Sequence, residues 1–280
     1  MGKYFKRIYY YLKEKNVYNR EVKHLGLTFS EFSSYANNIK QQGFICEDTL
    51  LLGKKIKKIA NYQYVECIME IFVSEVYKFK TDKEDPLILD CGANIGLSTI
   101  YFKQLYPKAK IIAFEADPNM MKLCSSNINS FGLTGINLVQ AAVWNTDGHM
   151  TFLPNDTLGG KLNEDIKSSE AIEVKTVRLK SYLKEYVDFL KMDIEGAEVD
   201  VLLDVKDDLK NVGALFVEYH SQRDREDRFD ILLNALKGAG FRFYIKEAAP
   251  LMNKPFMDYK NKKFEYTPFD MQLNIFAYRL

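Results

Sequence analysis

The stretch Leu87-Ile-Leu-Asp-Cys-Gly-Ala-Asn-Ile-Gly96 decides how this chain is read. A short apolar run ends in Asp90, glycines follow at Gly92 and Gly96, and a helical pattern opens at Leu97. A buried strand, a glycine turn and a helix N-terminus in succession bring backbone close to a ligand and aim N–H groups at it. The spacing is G-x-x-x-G, with Asn94 inside it, and not the G-x-G-x-x-G of a dinucleotide fingerprint. An acid at the strand end is badly placed for a doubly negative pyrophosphate. It suits a ligand with a cationic part, such as an amino acid amine, met through water or backbone. Taken alone, the glycines are also what a tight strand–helix connection needs.

The next strand narrows the ligand. Lys110-Ile-Ile-Ala-Phe-Glu115 is a second apolar run ending in an acid, followed by Ala116, Asp117 and Pro118 and a helical stretch to about Phe131. Asp117 is a good N-cap and Pro118 fits the first helical turn. A carboxylate at the tip of the second strand can accept both hydroxyls of a ribose. Acids ending two neighbouring parallel strands suit a nucleoside joined to an amino acid, which is S-adenosylmethionine. The third segment, Ile136 to Trp144, reads as a strand running into a loop, with Ala141 and Ala142 leaving room for a flat adenine and Trp144 as ordinary core.

Composition fits an enzyme with one large core plus an appendage. The chain has 280 residues, 39 Lys and Arg against 38 Asp and Glu, and a formal net charge of +1, which gives no global pull toward nucleic acid. Cys46, Cys67, Cys91 and Cys124 have neither metal-ligand nor disulfide-framework spacing, so a reducing cytoplasm is expected. No apolar run reaches spanning length, the N-terminus lacks a signal-peptide core, and Lys6 stands where myristoylation wants Ser or Thr. Residues 1–80 read as a mainly helical extension, and residues 81–280 as the main domain, with the polar Thr81–Pro86 stretch between them. Met1 to about Lys23 mixes tyrosines with lysines and arginines. It reads as a helix packed on the body, with weak contact to an anionic inner membrane surface as the second reading. Residues 61–79 read as a helix or strand at the edge of the core.

The second half carries the reactive groups. His149–Leu153 and Ile172–Leu179 alternate like antiparallel strands, with a polar loop from Asn155 to Glu170 that can cover a pocket. Ser181 to Tyr186 reads as a short helix. In Val187-Asp-Phe-Leu-Lys-Met-Asp193, alternation puts Phe189, Lys191 and Asp193 on one face. A lysine inside an apolar strand is costly without a partner. Asp193 stands at the C-terminal tip, where open α/β sheets place their ligands. Glu195 and Glu198 follow at the start of the next helix, where dipole stabilisation alone explains an acid. In Gly213–His220, Phe216, Glu218 and His220 share a face. If the two strands are neighbours, Asp193, Glu218 and His220 converge, with His220 available as a general base. A divalent metal on these three is compatible with the pattern but not required by it. His24 and His149 read as structural or surface residues. A helix near Asp227–Lys237 and strands at Phe241–Lys246 and Met271–Tyr278 complete a doubly wound α/β sheet.

LDCGANIG at 89–96, AFEADP at 113–118, Ala141-Ala142-Val143 and FLKMDIEGAE at 189–198 resemble the FkbM-type methyltransferases of the class I S-adenosylmethionine-dependent superfamily. The resemblance covers roughly residues 70–220 in motif order. It implies a seven-stranded Rossmann-like sheet with an antiparallel last strand, and O-methylation of a hydroxyl on a saccharide, glycolipid or natural product. It implies that Asp90, Gly92, Ala93, Asn94, Gly96, Glu115, Ala116, Ala141, Ala142 and Asp193 line the site of S-adenosylmethionine and its product S-adenosylhomocysteine. Asp193, with Lys191, Glu218 and His220, would lie near the transferred methyl. Ala116 departs from the proline that many relatives carry there, without touching Glu115. Residues 1–60 lie outside the resemblance and are the place to look for what selects the acceptor. Two readings compete within or beside it. A nucleic-acid methyltransferase would usually carry an Asn-Pro-Pro-Tyr-like motif where Asp193-Ile-Glu-Gly stands, and a dehydrogenase is disfavoured by the glycine spacing and by Asp90. The third alternative is a catalytically silent cofactor-fold binding protein, against which Asp90, Glu115 and Asp193 together argue.

Overall fold

The computed structural model describes residues 13–36, 46–59, 61–153, 161–162, 171–222, 226–248, 255–258 and 269–280. The short apolar runs become strands. In chain order these are β1 (Cys46–Leu51), β2 (Lys54–Ile59), β3 (Leu87–Cys91), β4 (Lys110–Glu115), β5 (Ile136–Gln140), β6 (Ala142–Trp144), β7 (Gly148–Leu153), β8 (Lys161–Leu162), β9 (Ile172–Arg178), β10 (Val187–Met192), β11 (Val212–Gln222), β12 (Arg242–Glu247) and β13 (Phe269–Tyr278). The periodic stretches become helices α1 (Phe29–Ala36), α2 (Asn61–Ile68), α3 (Leu97–Leu105), α4 (Pro118–Ser130), α5 (Glu198–Val205) and α6 (Phe229–Gly238).

Seven strands form the central sheet in the order β12-β13-β11-β10-β3-β4-β5. β13 runs antiparallel to both neighbours, β11 and β12. The β10–β11, β10–β3, β3–β4 and β4–β5 pairs are parallel. The chain winds outward from β3 through β4 to β5 and returns on the other side with β10. The strand order therefore reverses between β3 and β10, and a crevice opens at their C-terminal ends.

Both faces of the sheet are covered, as parallel strands require. Alternation sends Ile88, Phe189 and Phe216 to one face, packed with Ile100 and Phe102 of α3 and Cys124 and Ile128 of α4. Leu89, Leu190 and Leu215 go to the other, against Leu202 and Val205 of α5 and Leu232 and Leu236 of α6. Tyr64, Val65, Ile68, Ile71 and Tyr77 join the first of these clusters, so the segment before residue 80 shares the sheet's own core.

The segment before residue 80 holds α1 and α2 and also a β-hairpin that a mainly helical reading omits. β1 and β2 are joined by Leu52 and Gly53, both at positive φ (50° and 76°). A two-residue connection with both φ values positive matches the twist of the flanking strands. Asn127 of α4 pins the hairpin: its Oδ1 accepts the Lys57 N–H at 2.7 Å and its Nδ2 donates to the Lys57 and Ile95 carbonyls at 2.9 Å each. After α2 the chain makes one wide π-helical turn, Met69–Val73, which matters below.

Ile136–Trp144 is two strands rather than one. It breaks at Ala141, and β6 passes into a second, four-stranded sheet of order β6-β9-β7-β8. The helix expected directly after Asp193 begins only at Glu198, because Glu195 (φ 57°) and Gly196 (φ 102°) turn left-handed first. The short helix expected at Ser181–Tyr186 is a 3₁₀ turn at Leu179–Tyr182. The Tyr4–Tyr11 aromatic cluster and most of the Asn155–Glu170 loop lie outside the described residues. Among the described residues no helix is long and apolar enough to cross a membrane.

Candidate active site

The glycine turn sits at the switch point. Gly92 and Ala93 both donate their N–H to the Phe114 carbonyl of β4, at 3.0 and 2.8 Å, and the backbone is left-handed at Gly92, Asn94 and Gly96. Close packing against neighbouring elements already requires both glycines. A Cβ on Gly92 would overlap the carbonyl oxygen of Asp193, and one on Gly96 would stand 3.1 Å from the Cys124 Sγ. The nearest atoms to an added Cβ at either position are protein atoms. Ala93 is buried in the same turn.

Glu115 closes the turn from the next strand. Its Oε2 accepts the Asn94 N–H and its Oε1 accepts the Asp117 N–H, each at 2.8 Å. Burial pushes its carboxyl up to about 7, against the pull of those two N–H groups. A carboxylate has about four lone-pair positions, so two remain for a vicinal diol. Asp117 caps α4 as its sequence position suggests, accepting from the Asn119 and Met120 N–H groups. Ala116 and Ala142 pack with Phe152 and Val174 of the second sheet, and Ala141 is buried in the main core. The two adjoining alanines are thus buried just past the tip of β5, the strand paired with the one that carries Glu115.

Asp90 supports the turn from beneath. It is fully buried, and its Oδ2 accepts from the hydroxyls of Ser98 and Thr99 at 2.6 and 2.7 Å. Its Oδ1 makes no hydrogen bond and lies 3.6 Å from Lys191 Nζ. Asp90 therefore ties the turn to the first residues of α3 and presents no face to an amine.

Lys191 finds the partners that its position demands. In register beside Asp90, its ammonium donates to the Gly92 carbonyl at 2.7 Å and stands 3.4 Å from the Asp193 carboxylate. Burial alone would lower its pKa, but Asp193, Asp90 and Glu218 outweigh it and hold the ammonium above the ordinary lysine range. Asp193, one-quarter exposed, is thereby fixed at the mouth of the crevice.

The convergence expected from adjacent strands is present. His220, 1 % exposed in its side chain, stands with Nδ1 3.0 Å from Glu198 Oε1 and Nε2 3.6 Å from both Glu195 and Glu218. Burial would strip its proton, but Glu195, Glu198 and Glu218 overcome it and raise its pKa well above the ordinary value. Both ring nitrogens of His220, the general base expected from the sequence, thus face carboxylates, which favour the protonated ring. Glu198 does more than stabilise a dipole, since its Oε1 also accepts the Ile194 and Gly196 N–H groups and so shapes the loop after β10. Burial, and next the charge of Asp193, raise the Glu218 carboxyl well above the usual range.

One acid near the site, Glu70, has no signal in the sequence. Glu70, on the π-helical turn, accepts from Asn274 of β13, which is the register partner of Glu218. Its carboxyl is raised by burial, in part offset by Asn274 and reinforced by the charge of Asp193. The segment before residue 80 thus places an acid beside the crevice. Ser98 and Thr99 were within reach of sequence reasoning, being hydroxyls in the first turn of the helix that follows the glycine turn.

A sheet of this order with its inserted antiparallel strand, and a glycine turn facing an acid across the switch point, defines the class I methyltransferase fold. Residues 90–243 match the family model described as the methyltransferase FkbM domain. The chain belongs to this FkbM methyltransferase family. It is 32% identical over 175 residues to methyltransferase sdnD of Sordaria araneosa, covering 50% of this chain and 68% of that one. It is 30% identical over 162 residues to 2-O-methyltransferase NoeI of Sinorhizobium fredii, covering 50% and 66%. To 31-O-demethyl-FK506 methyltransferase FkbM of Streptomyces tacrolimicus it is 27% identical over 201 residues, covering 59% and 75%. The first two alignments thus span about two thirds of the relatives' own length.

Proposed function

We propose that the protein is an S-adenosylmethionine-dependent O-methyltransferase whose acceptor is a hydroxyl of a saccharide, glycolipid or natural product. The observation that carries this reading is Glu115. It is a buried carboxylate at the tip of β4, held by the Asn94 N–H of the glycine turn and by the Asp117 N–H of its own loop, with lone pairs left for a ribose. The names of relatives such as NoeI and FkbM support O-methylation and a small-molecule acceptor. A near-neutral net charge favours such an acceptor over nucleic acid.

Bound S-adenosylmethionine would supply an electrophilic sulfonium methyl. The chain's own residues do the rest. Glu115 holds the ribose and so sets where the methyl points. Lys191 fixes Asp193 by charge and hydrogen-bonds the Gly92 backbone, keeping the two sides of the crevice in register. Asp193 accepts a hydrogen bond from the acceptor hydroxyl, orients its oxygen and takes its proton as the oxygen–methyl bond forms and the sulfur–methyl bond breaks. Holding the oxygen in line with the methyl is the largest contribution open to such a site. Calorimetry with S-adenosylmethionine and S-adenosylhomocysteine tests the reading. Micromolar binding that Glu115→Ala abolishes, with no binding of NAD, supports it. A folded protein that binds neither ligand, with or without candidate sugars, overturns it.

A further inference from the structure

We propose that Asp193, Glu195 and His220 form a divalent-cation site at the mouth of the crevice. One ligand atom from each lies within 4.8 Å of the other two. The three come from different places: Asp193 from the tip of β10, Glu195 from the left-handed turn that follows, and His220 from the part of β11 that runs past the end of β10. The site is thus assembled by the fold and is not a local run of acids.

Three features point to a cation. The first is the hold on His220. Its Nδ1 is engaged by Glu198 Oε1 at 3.0 Å, and Glu198 is itself fixed by the Ile194 and Gly196 N–H groups. A metal-binding histidine characteristically gives its other ring nitrogen to a carboxylate in this way, which leaves Nε2 as the ligand atom. The second is what Nε2 faces. Glu195 Oε2 and Glu218 Oε1 each lie 3.6 Å away, a spacing that neighbouring ligands around one ion also show. The third is charge. Asp193, Glu195, Glu198 and Glu218 face one histidine, while the nearby lysine, Lys191, is shared with the buried Asp90. Glu198 Oε2 is buried and has no hydrogen-bond partner. Carboxylates crowded in this way need more positive charge than the side chains bring.

One imidazole with two or three carboxylates suits a divalent ion of intermediate hardness, such as Mn²⁺ or Zn²⁺. Resting on the methyltransferase reading, such an ion would bind the acceptor's oxygen beside Asp193 and lower the pKa of its hydroxyl. The acceptor class is then narrowed to oxygen donors that can reach a metal, such as a sugar hydroxyl with a neighbouring hydroxyl.

The test uses the full chain with Mn²⁺ alone, followed by the electron paramagnetic resonance of free Mn²⁺ and by the shift of the melting temperature against chelator. One Mn²⁺ per chain is expected, weakened about tenfold or more by Glu195→Gln. Glu195 is partly exposed, so this variant does not empty a core position. Glu173→Gln, an exposed acid on β9, should bind as the unaltered protein does. Failure to bind either Mn²⁺ or Zn²⁺ up to about 1 mM overturns the site. Binding that Glu195→Gln leaves unchanged overturns it equally. S-adenosylhomocysteine calorimetry on the same metal-free samples separates the two ideas. Cofactor binding without metal binding sinks only the cation site, and metal binding without cofactor binding sinks the methyltransferase reading.

Discussion

Lys191 Nζ stands 2.7 Å from the carbonyl oxygen of Gly92, joining the end of β10 to the turn after β3. The same ammonium lies between Asp90 and Asp193, at 3.6 and 3.4 Å. One buried cation therefore neutralises the acid under the turn and positions the acid at the crevice mouth. Lys191→Met should destabilise the fold by about 3–5 kcal/mol, because removing one partner leaves buried charge uncompensated. Adding Asp90→Asn should recover part of that loss. Urea unfolding of both single variants and the double variant checks this, and purely additive effects would mean the two groups are not coupled.

Gly92 separates local strain from collision. Gly92→Ala should cost about 3 kcal/mol or more, since its φ of 85° is strained for alanine and its Cβ would overlap the Asp193 carbonyl. Gly132 has a φ of 65° but nothing within 4 Å of an added Cβ. Gly132→Ala should therefore cost only about 1 kcal/mol. Equal losses in thermal unfolding would show that collision with β10 is not what holds Gly92.

The carboxyl of Glu115, raised to about 7, makes cofactor binding pH-dependent. Burial lifts it from 4.5, and Asp117, Lys191 and Cys124 are the titratable groups near it. The sign follows from the raised value: its contribution to stability is full below pH 4.5 and is lost as pH rises through about 7. Binding runs the other way, because ribose hydroxyls donate to the ionised form. Affinity for S-adenosylhomocysteine should therefore rise by up to about tenfold per pH unit below the pKa and level off above it. Calorimetry across this range should find the dependence in the unaltered protein and a flat, weaker profile in Glu115→Gln.

Asp193→Asn keeps the shape of the side chain but removes the charge that Lys191 and the acceptor hydroxyl meet. S-adenosylhomocysteine affinity should stay within about threefold. Turnover of any acceptor found should fall by about 10²–10⁴-fold. Unimpaired turnover would remove Asp193 from the reaction. A parallel loss of cofactor affinity would instead assign it to cofactor binding.

What the sequence determined by itself was the sheet and the end of it that matters. Strand and helix patterns of fixed period are local, so β3, β4, β10 and β11, with acids and a lysine at their tips, could be read without coordinates. The lysine in an apolar strand announced a buried partner, though not which one. The tertiary structure alone decided what each polar group faces. Asp90 turned inward to Ser98 and Thr99, because β10 brings Lys191 alongside it and closes it from solvent. His220 came to favour its protonated form because Glu195, Glu198 and Glu218, from three different places in the chain, surround it. Glu70 reached the site from a segment whose sequence carries no motif, through a contact 204 positions away with Asn274. Charge state and partnership depend on distance in space, and a chain's local pattern fixes distance only along itself.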